Sequence, residues 1–321
     1  MARRALITGI AGQDGSYLAE LLLARGDEVT GFDRAAAFAA PNLDGVRGRF
    51  AEVPGDLLDP ASVRAVIAES SPDEIYHLAA PTFVPDSWDD PTQTLAAIAG
   101  ATATVLAAAL ALEPRPRVWV STSSEVFGDA PVCPQDEATP MRPRSPYGVA
   151  KLAAHGLVRT MRAHHGLFAC SGITYNHESP RRPPHFLPRK VTRGAAAIAL
   201  GLETELVLGD LAAVRDWSDA RDIMRAATLA LGADEPGDYV LASGTGRTVG
   251  DLVEAALAAA GVEGGAERWV RVDPAFVRPR EPVDLVGDPS HARAVLGWEP
   301  QIGFEQMIGE MVALDLEELR G

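Results

Sequence analysis

The run Ser145-Pro146-Tyr147-Gly148-Val149-Ala150-Lys151 opens an Ala-rich stretch of helical character. Tyr147 and Lys151 are four apart, so on a helix they sit one above the other on one face. A phenol beside a held ammonium has a lowered pKa, because the cation favours the phenolate. Such a pair is suited to acid/base work on a sugar hydroxyl or a ketone near neutral pH. Composition argues against an accidental pairing. Of 29 Lys plus Arg, Lys151 and Lys190 are the lysines and the other 27 are arginines. Where Arg serves nearly every cationic position, a surviving Lys marks a need for a compact, three-donor ammonium on a flexible stem.

Two further stretches carry candidate chemistry. Ser121-Thr122-Ser123-Ser124-Glu125-Val126-Phe127-Gly128 follows an apolar strand, Arg117–Ser121. Side chains two apart in a strand point the same way, so Ser123 and Glu125 are expected to face one pocket. The plain alternative is a strand-end hydroxyl and a solvated carboxylate at a turn. Upstream, the strand 5–8 runs into Gly9-Ile10-Ala11-Gly12-Gln13-Asp14-Gly15 and a helix over 16–25. Glycines between strand and helix let the backbone approach a pyrophosphate seated on the helix N-terminus. The second strand, 28–32, ends in Asp33, a carboxylate that can accept from adenosine ribose hydroxyls and would repel a 2′-phosphate. That favours NAD. Arg34, next door, could pair with such a phosphate, so NADP is the alternative.

The elements that position these residues alternate strand and helix: a helix over 60–69 after Asp56-Leu57, a strand over 74–80 leading back to the cofactor, then 117–121 and 168–175. This alternation predicts an α/β, Rossmann-type doubly wound parallel sheet. Beyond it come Pro-rich loops, clustered Arg and shorter elements. Residues 1–173 are therefore read as a NAD(P)-binding domain, with later sheet elements from about 209–247 and 284–300. Residues 174–321 are read as a smaller α/β substrate-binding cap interleaved with that core. Ligands bind such sheets at the carboxyl ends of their strands.

A chain of 321 residues with 47% hydrophobic and 23% charged residues is of ordinary globular composition. Its net charge of −15 argues against a nucleic-acid partner or an anionic membrane surface. The apolar stretch 95–112 is mostly Ala and Thr and falls where a crossover helix is due, so it is read as a buried or interface helix rather than a membrane span. Cys133 and Cys170 are too few for a disulfide framework, and residues 1–9 have no targeting character, so a cytoplasmic setting is expected. The seven His form no ligand spacing, so no metal is expected. No G-x-S-x-G elbow supports a hydrolase.

The order of motifs resembles that of GDP-mannose 4,6-dehydratases, members of the extended short-chain dehydrogenase/reductase family. The resemblance rests on Gly9–Gly15, Ser123-Ser124-Glu125, Ser145–Lys151, Asn176-His177-Glu178-Ser179-Pro180-Arg181-Arg182, Arg215-Asp216-Trp217, Arg278-Pro279 and Leu296-Gly297-Trp298. It implies that Tyr147, poised by Lys151, takes the C4 hydroxyl proton while the nicotinamide takes hydride. It implies that Glu125 removes the acidified C5 hydrogen and helps C6 hydroxide leave as water, and that Ser123 bonds the C4 oxygen. It places the cofactor on Gly9, Gly12, Gln13, Asp14, Gly15, Asp33, Arg34, Asp56, Leu57, Leu78, Ala79 and Ala80, together with Tyr147 and Lys151. A GDP-sugar would meet Ser124, Asn176, Lys190 (guanine carbonyl), Arg215 and Arg278 (phosphates) and Glu281 (ribose). Arg181 and Arg182 are expected to hold the cap loop or a subunit contact.

The chain departs from the family at Asp33-Arg34-Ala35-Ala36-Ala37, where a basic pair is usual, and the segment up to Gly55 is shorter. A homodimer is expected, with a homotetramer as the alternative. Phe83 stands where His is common, which alters the expected sugar-facing wall and leaves another GDP-hexose or heptose open. The nearest rival activity is a sugar-nucleotide 4-epimerase or 4-keto reductase, which needs Tyr and Lys but no C5 base. A non-catalytic cofactor sensor or scaffold would have no reason to keep Tyr147 and Lys151.

Overall fold

The computed structural model describes residues 2–276 and 284–321. Among these residues the strands are β1 (Arg4–Thr8), β2 (Glu28–Asp33), β3 (Ala51–Pro54), β4 (Glu74–His77), β5 (Arg117–Ser121), β6 (Ala169–Thr174), β7 (Asn176–Glu178), β8 (Leu206–Leu208), β9 (Val214–Asp219), β10 (Asp238–Leu241), β11 (Gly246–Thr248) and β12 (Val270–Val272). Seven of them form one parallel sheet in the order β10-β6-β5-β4-β1-β2-β3. The order reverses between β1 and β4, the point where a doubly wound sheet opens a crevice at its carboxyl edge.

Both faces of this sheet are covered, so its strands read as apolar runs. Ile7, Tyr76, Trp119 and Cys170 pack on one face against the helices Gln13–Arg25 and Ala220–Gly232. Leu6, Ile75, Val118 and Val120, one residue out of phase, pack on the other against Pro60–Ser70, Ala101–Leu110 and Pro146–His165. The two-residue period of the strand assigns each side chain to its layer.

Three helices start at the same local device, a short polar residue followed by proline. Asp59 accepts from Ala61 N at 2.9 Å, Asp90 from Gln93 N at 2.9 Å and Ser145 from Gly148 N at 3.0 Å, each with Pro at the first helical position. The side chain satisfies an orphan N–H, and proline occupies a position that needs none.

Other residues after 174 build a second layer, while β10 and the helix Ala220–Gly232 belong to the central sheet and its cover. β7, β9 and β11 form a small sheet and β8 pairs with β12. Leu206, Leu208, Trp217, Leu252, Met307 and Met311 form its core beneath the helices Leu187–Ala199, Val249–Ala259 and Phe304–Arg320.

Two elements differ from the sequence reading. The strand expected over 74–80 stops at His77. Leu78 N and Ala79 N both donate to Thr8 Oγ1 at 3.2 Å, which turns the chain across the sheet edge. The apolar stretch expected to start at 95 belongs to a longer helical run, Pro91–Leu110, with a widened turn at Ala96–Gly100. It is long and apolar enough to span a membrane, yet half of it is buried, with Ile98, Val105 and Leu106 in the core.

Gly172 in β6 leaves room for a ring: an added Cβ would lie 2.1 Å from Trp119, which is fully buried. Overpacking of a core of this density costs about 1–3 kcal/mol. Gly172→Ala is therefore expected to lower the urea unfolding midpoint with an unchanged slope. A midpoint equal to that of the parent chain would show that Trp119 has room to move.

Candidate active site

A cavity of about 760 Å³ opens at the carboxyl edge of the sheet, over the β1/β4 junction. Its floor is the glycine turn. Gly9 has φ +76°, and a Cβ there would lie 2.8 Å from Ala79 Cα, so a side chain is excluded twice. A Cβ at Gly15 would lie 2.2 Å from Gly9 O. The turn is closed by Gly12 N donating to Gly9 O at 3.1 Å, and the helix begins at Gln13, three residues earlier than the sequence suggested. The result is bare backbone and a helix N-terminus facing the cavity, the arrangement that receives a pyrophosphate. Asp33 at the end of β2 is held by Ala11 N (3.2 Å) and Arg34 N (2.8 Å). Arg34, Asp56, Leu57, Leu78, Ala79 and Ala80 line the same wall. These residues fit a dinucleotide.

The proposed catalytic residues converge on this cavity: Ser123, Glu125, Tyr147 and Lys151 all line it, as do Ser124 and Asn176. The route differs from the expected one. β5 stops at Ser121, and Ser124–Val126 is a tight helical turn capped by Ser123, whose Oγ accepts from Glu125 N at 3.2 Å. Turn geometry, not strand alternation, brings Ser123 and Glu125 to one pocket. Gly148 then lets the next helix begin against that turn, since a Cβ there would lie 2.6 Å from Glu125 O. Tyr147 and Lys151 are buried, and Lys151 Nζ donates to Ser121 O at 2.8 Å and lies 5.7 Å from the Tyr147 ring centre.

The electrostatics correct one expectation outright. The Tyr147 phenol is not lowered: burial pushes it well above its ordinary value, and Glu125 adds to the rise. A hydrogen bond with Ser123 and the Arg182 charge oppose this without reversing it. Burial also pulls Lys151 down to about 8. Both charged forms lose water in the same site, and for each group that loss is the largest influence.

Several residues stand elsewhere. Lys190 Nζ donates to Val207 O at 2.9 Å and lies 4.8 Å from the Phe276 ring centre, and Arg215 sits in β9; neither is among the residues lining this cavity. Arg278 and Glu281 lie outside the described residues. Phe83, expected at the sugar wall, packs edge-on against His185 (5.0 Å) and Phe186 (5.5 Å), while its neighbours Thr82 and Val84 face the cavity. The arginine pair divides. Arg181 bonds Glu20 and Ser16 and covers the Tyr17 ring, holding the loop to the first helix. Arg182 lines the cavity, stacked 3.6 Å over Phe186 and 3.0 Å from Glu178.

Sequence reasoning missed Arg182 and His177 as cavity residues. Among 27 arginines nothing marks Arg182, and His177 is recognisable only through Asp14, 163 residues away.

The fold, the glycine turn and the Tyr147–Lys151 pair together define a dinucleotide-binding α/β enzyme of the short-chain dehydrogenase/reductase class. Comparison with known proteins narrows this. Residues 6–311 match the pattern of the family described as GDP-mannose 4,6 dehydratase. The GDP-mannose 4,6-dehydratase of Vibrio cholerae is 39% identical, over 99% of this chain and 95% of its own length. Among solved structures, UDP-glucose 4-epimerase of Thermus thermophilus in complex with NAD superposes with TM-score 0.82 at 29% identity, covering 97% of this chain and 98% of that one. RMD from Pseudomonas aeruginosa complexed with NADPH gives TM-score 0.82 at 26% identity, covering 99% and 100%. The chain belongs to the GDP-mannose 4,6-dehydratase family, and its cofactor is a nicotinamide dinucleotide.

The burial of Lys151 has a measurable consequence. Between about pH 8 and 10.5 the unfolded chain holds a proton on this lysine that the folded chain has shed, so stability rises with pH across that window. Lys151→Met is expected to flatten this rise in urea titrations of the ligand-free protein. An unaltered slope would place the proton on another group.

Proposed function

We propose that this chain converts GDP-mannose to GDP-4-keto-6-deoxymannose. The observation that carries the reading is Glu125 on the same cavity wall as Tyr147, close enough for its charge to raise the phenol. Proton transfer to a reacting centre by a positioned carboxylate is worth about 10²–10⁴ in rate.

A nicotinamide dinucleotide held by the Gly9–Gly15 turn and Asp33 would supply the hydride acceptor for sugar C4 and the hydride donor for C6. The protein's own residues handle the protons. Tyr147 takes the C4 hydroxyl proton, for which it must first become a phenolate. Ser123 and Arg182 are the groups that pull it in that direction. The C4 ketone makes the C5 hydrogen acidic, and Glu125 removes it. Glu125 then passes that proton to the departing C6 hydroxide, which leaves as water, and Tyr147 returns its proton to C5. Redox balance is restored within each turnover.

Asn176, on the cavity wall, is our candidate for the substrate pyrophosphate side, with Arg215 beside it in the second layer. Lys190, beside Phe276 and Val207, is our candidate for the guanine. Arg278 and Glu281 complete the set that the family resemblance implies. In this reading residues 1–173 bind the dinucleotide and 174–321 form the cap, with β10 returned to the central sheet. Asp33, fixed at the cavity edge by two backbone donors, supports NAD over NADP. The dinucleotide released on denaturing freshly purified protein is expected to be NAD; NADP would show that Arg34 prevails. A homodimer is supported by exposed Trp88, Leu95 and Val149, at 62%, 40% and 46%, on helices that pack together. A cytoplasmic setting fits the free thiols of Cys133 and Cys170.

Incubated with GDP-mannose and no added reductant, the protein is expected to give a product lighter by one water. An unchanged mass with inverted stereochemistry would assign it to a 4-epimerase. Glu125→Gln is expected to cut dehydration by about 10²–10⁴ and to abolish solvent deuterium uptake at C5. Undiminished uptake would remove Glu125 from the mechanism.

A further inference from the structure

The glycine turn lines one cavity together with Asn176, His177 and Arg182, and a buried charge pair joins the two segments. His177 Nδ1 lies 2.7 Å from Tyr175 O, and its Nε2 lies 2.9 Å from Asp14 Oδ2. A backbone carbonyl can only accept, and so can a carboxylate. Burial alone would protonate Asp14, but the His177 charge and hydrogen bond hold it below its usual range. Each ring nitrogen of His177 thus faces an acceptor, an arrangement that favours the doubly protonated ring, and the Asp14 charge raises its pKa against the pull of burial. The side chains are 14% and 20% exposed, so this is an ion pair largely removed from water.

Gln13 doubles the link. Its Nε2 donates to His177 O at 3.1 Å and to Asp14 Oδ1 at 3.2 Å, and its Oε1 accepts from Ser179 Oγ at 2.8 Å. Two consecutive residues of the turn thus grip positions 177 and 179. The residues they grip alternate with those that face ligand or balance charge. Asn176 lines the cavity; Glu178 is fully buried and faces Arg182, which lines the cavity in turn. Neither Glu178 oxygen has a well-aligned hydrogen-bond donor among the described residues, so the charge of Arg182, and after it that of His177, offsets its burial.

We propose that the Asp14–His177 pair couples the two ligand sites: ordering the glycine turn on a dinucleotide fixes Asn176 and Arg182 for a sugar nucleotide, and the reverse. His177 is then a positioning residue, acting through Asp14 on one side and through its chain neighbours on the other. The idea rests on the proposed function for the identity of the two ligands. Coupling of this kind is reciprocal by thermodynamic necessity, so it can be read from binding without turnover.

The test is calorimetric titration of NAD and NADP, in parallel, into the full chain freed of its co-purified dinucleotide, with and without saturating GDP. In the parent protein GDP is expected to tighten dinucleotide binding about tenfold, and in His177→Gln less than about twofold, which is the loss of a typical coupling free energy. A purely structural histidine would weaken both ligands and leave their coupling intact. Asp14→Asn, which keeps an acceptor for the ring but removes the charge, serves as the second variant should His177→Gln unfold, and is expected to reduce the coupling too. Full coupling in the folded variant, or no coupling in the parent, overturns the proposal while both ligands still bind. Failure of the parent to bind either dinucleotide overturns the reading of the site itself.

Discussion

Loss of water around ionisable side chains governs this site more than any single contact. Tyr147, Lys151, Asp14, His177, Glu178 and Arg182 gather where little solvent reaches, and each charged form must be matched or given up. Burial disfavours the charged forms of Tyr147 and Glu178 and pulls Lys151 down to about 8, whereas Asp14 and His177 each favour the other's charged form. The consequence is a set of protonation states arranged before any ligand arrives. A phenol that resists ionisation is a poor base at rest and a strong one once its proton has gone. The neighbouring hydrogen bond with Ser123 and the charge of Arg182 are the two influences that favour its ionised form.

That density of charge is possible because backbone comes unusually close to backbone around it. At Gly9, Gly15 and Gly148 a methyl group would lie within 3 Å of a neighbouring main chain. The first two let the turn fold flat beneath Ala79 and onto itself. The third lets the helix bearing Tyr147 and Lys151 press against the turn bearing Glu125. Two chemical groups that are 22 residues apart in the chain are thus set by one steric permission rather than by a bond between them.

The central sheet was legible because its signals are local. Apolar strands, glycine turns and the Asp-Pro and Ser-Pro helix starts each act within a few residues, and β5 and the helix from Pro146 lie where the pattern puts them. Local patterns also singled out Tyr147 and Lys151, and with the family resemblance Ser123 and Glu125, and all four line the cavity. What they could not give was the sign of the Tyr147 shift, because proximity of Lys151 is written in the spacing while the extent of desolvation is not. The reason Ser123 and Glu125 share a wall was likewise hidden: where a strand ends depends on the turn that follows. His177 was invisible as a cavity residue because its partner, Asp14, is set by the return of β7 beside the first helix, whereas Arg182, four residues from its partner Glu178, was hidden because nothing local marks which arginine of the loop faces the cavity. The packing of Phe83 was likewise hidden, because its ring neighbours, His185 and Phe186, come from a distant stretch of the chain.

β10 closes the large sheet from a position far along the chain, pairing along β6 from Ser171 to Thr174. Every residue of β6 is buried in consequence. The two halves of the molecule are therefore not interchangeable modules: a fragment ending near residue 174 would bare an apolar strand edge along its whole length, an invitation to pair with another copy. Recombination that exchanges the latter half for a foreign one must carry a replacement for this strand, in register, or yield aggregates instead of a new specificity.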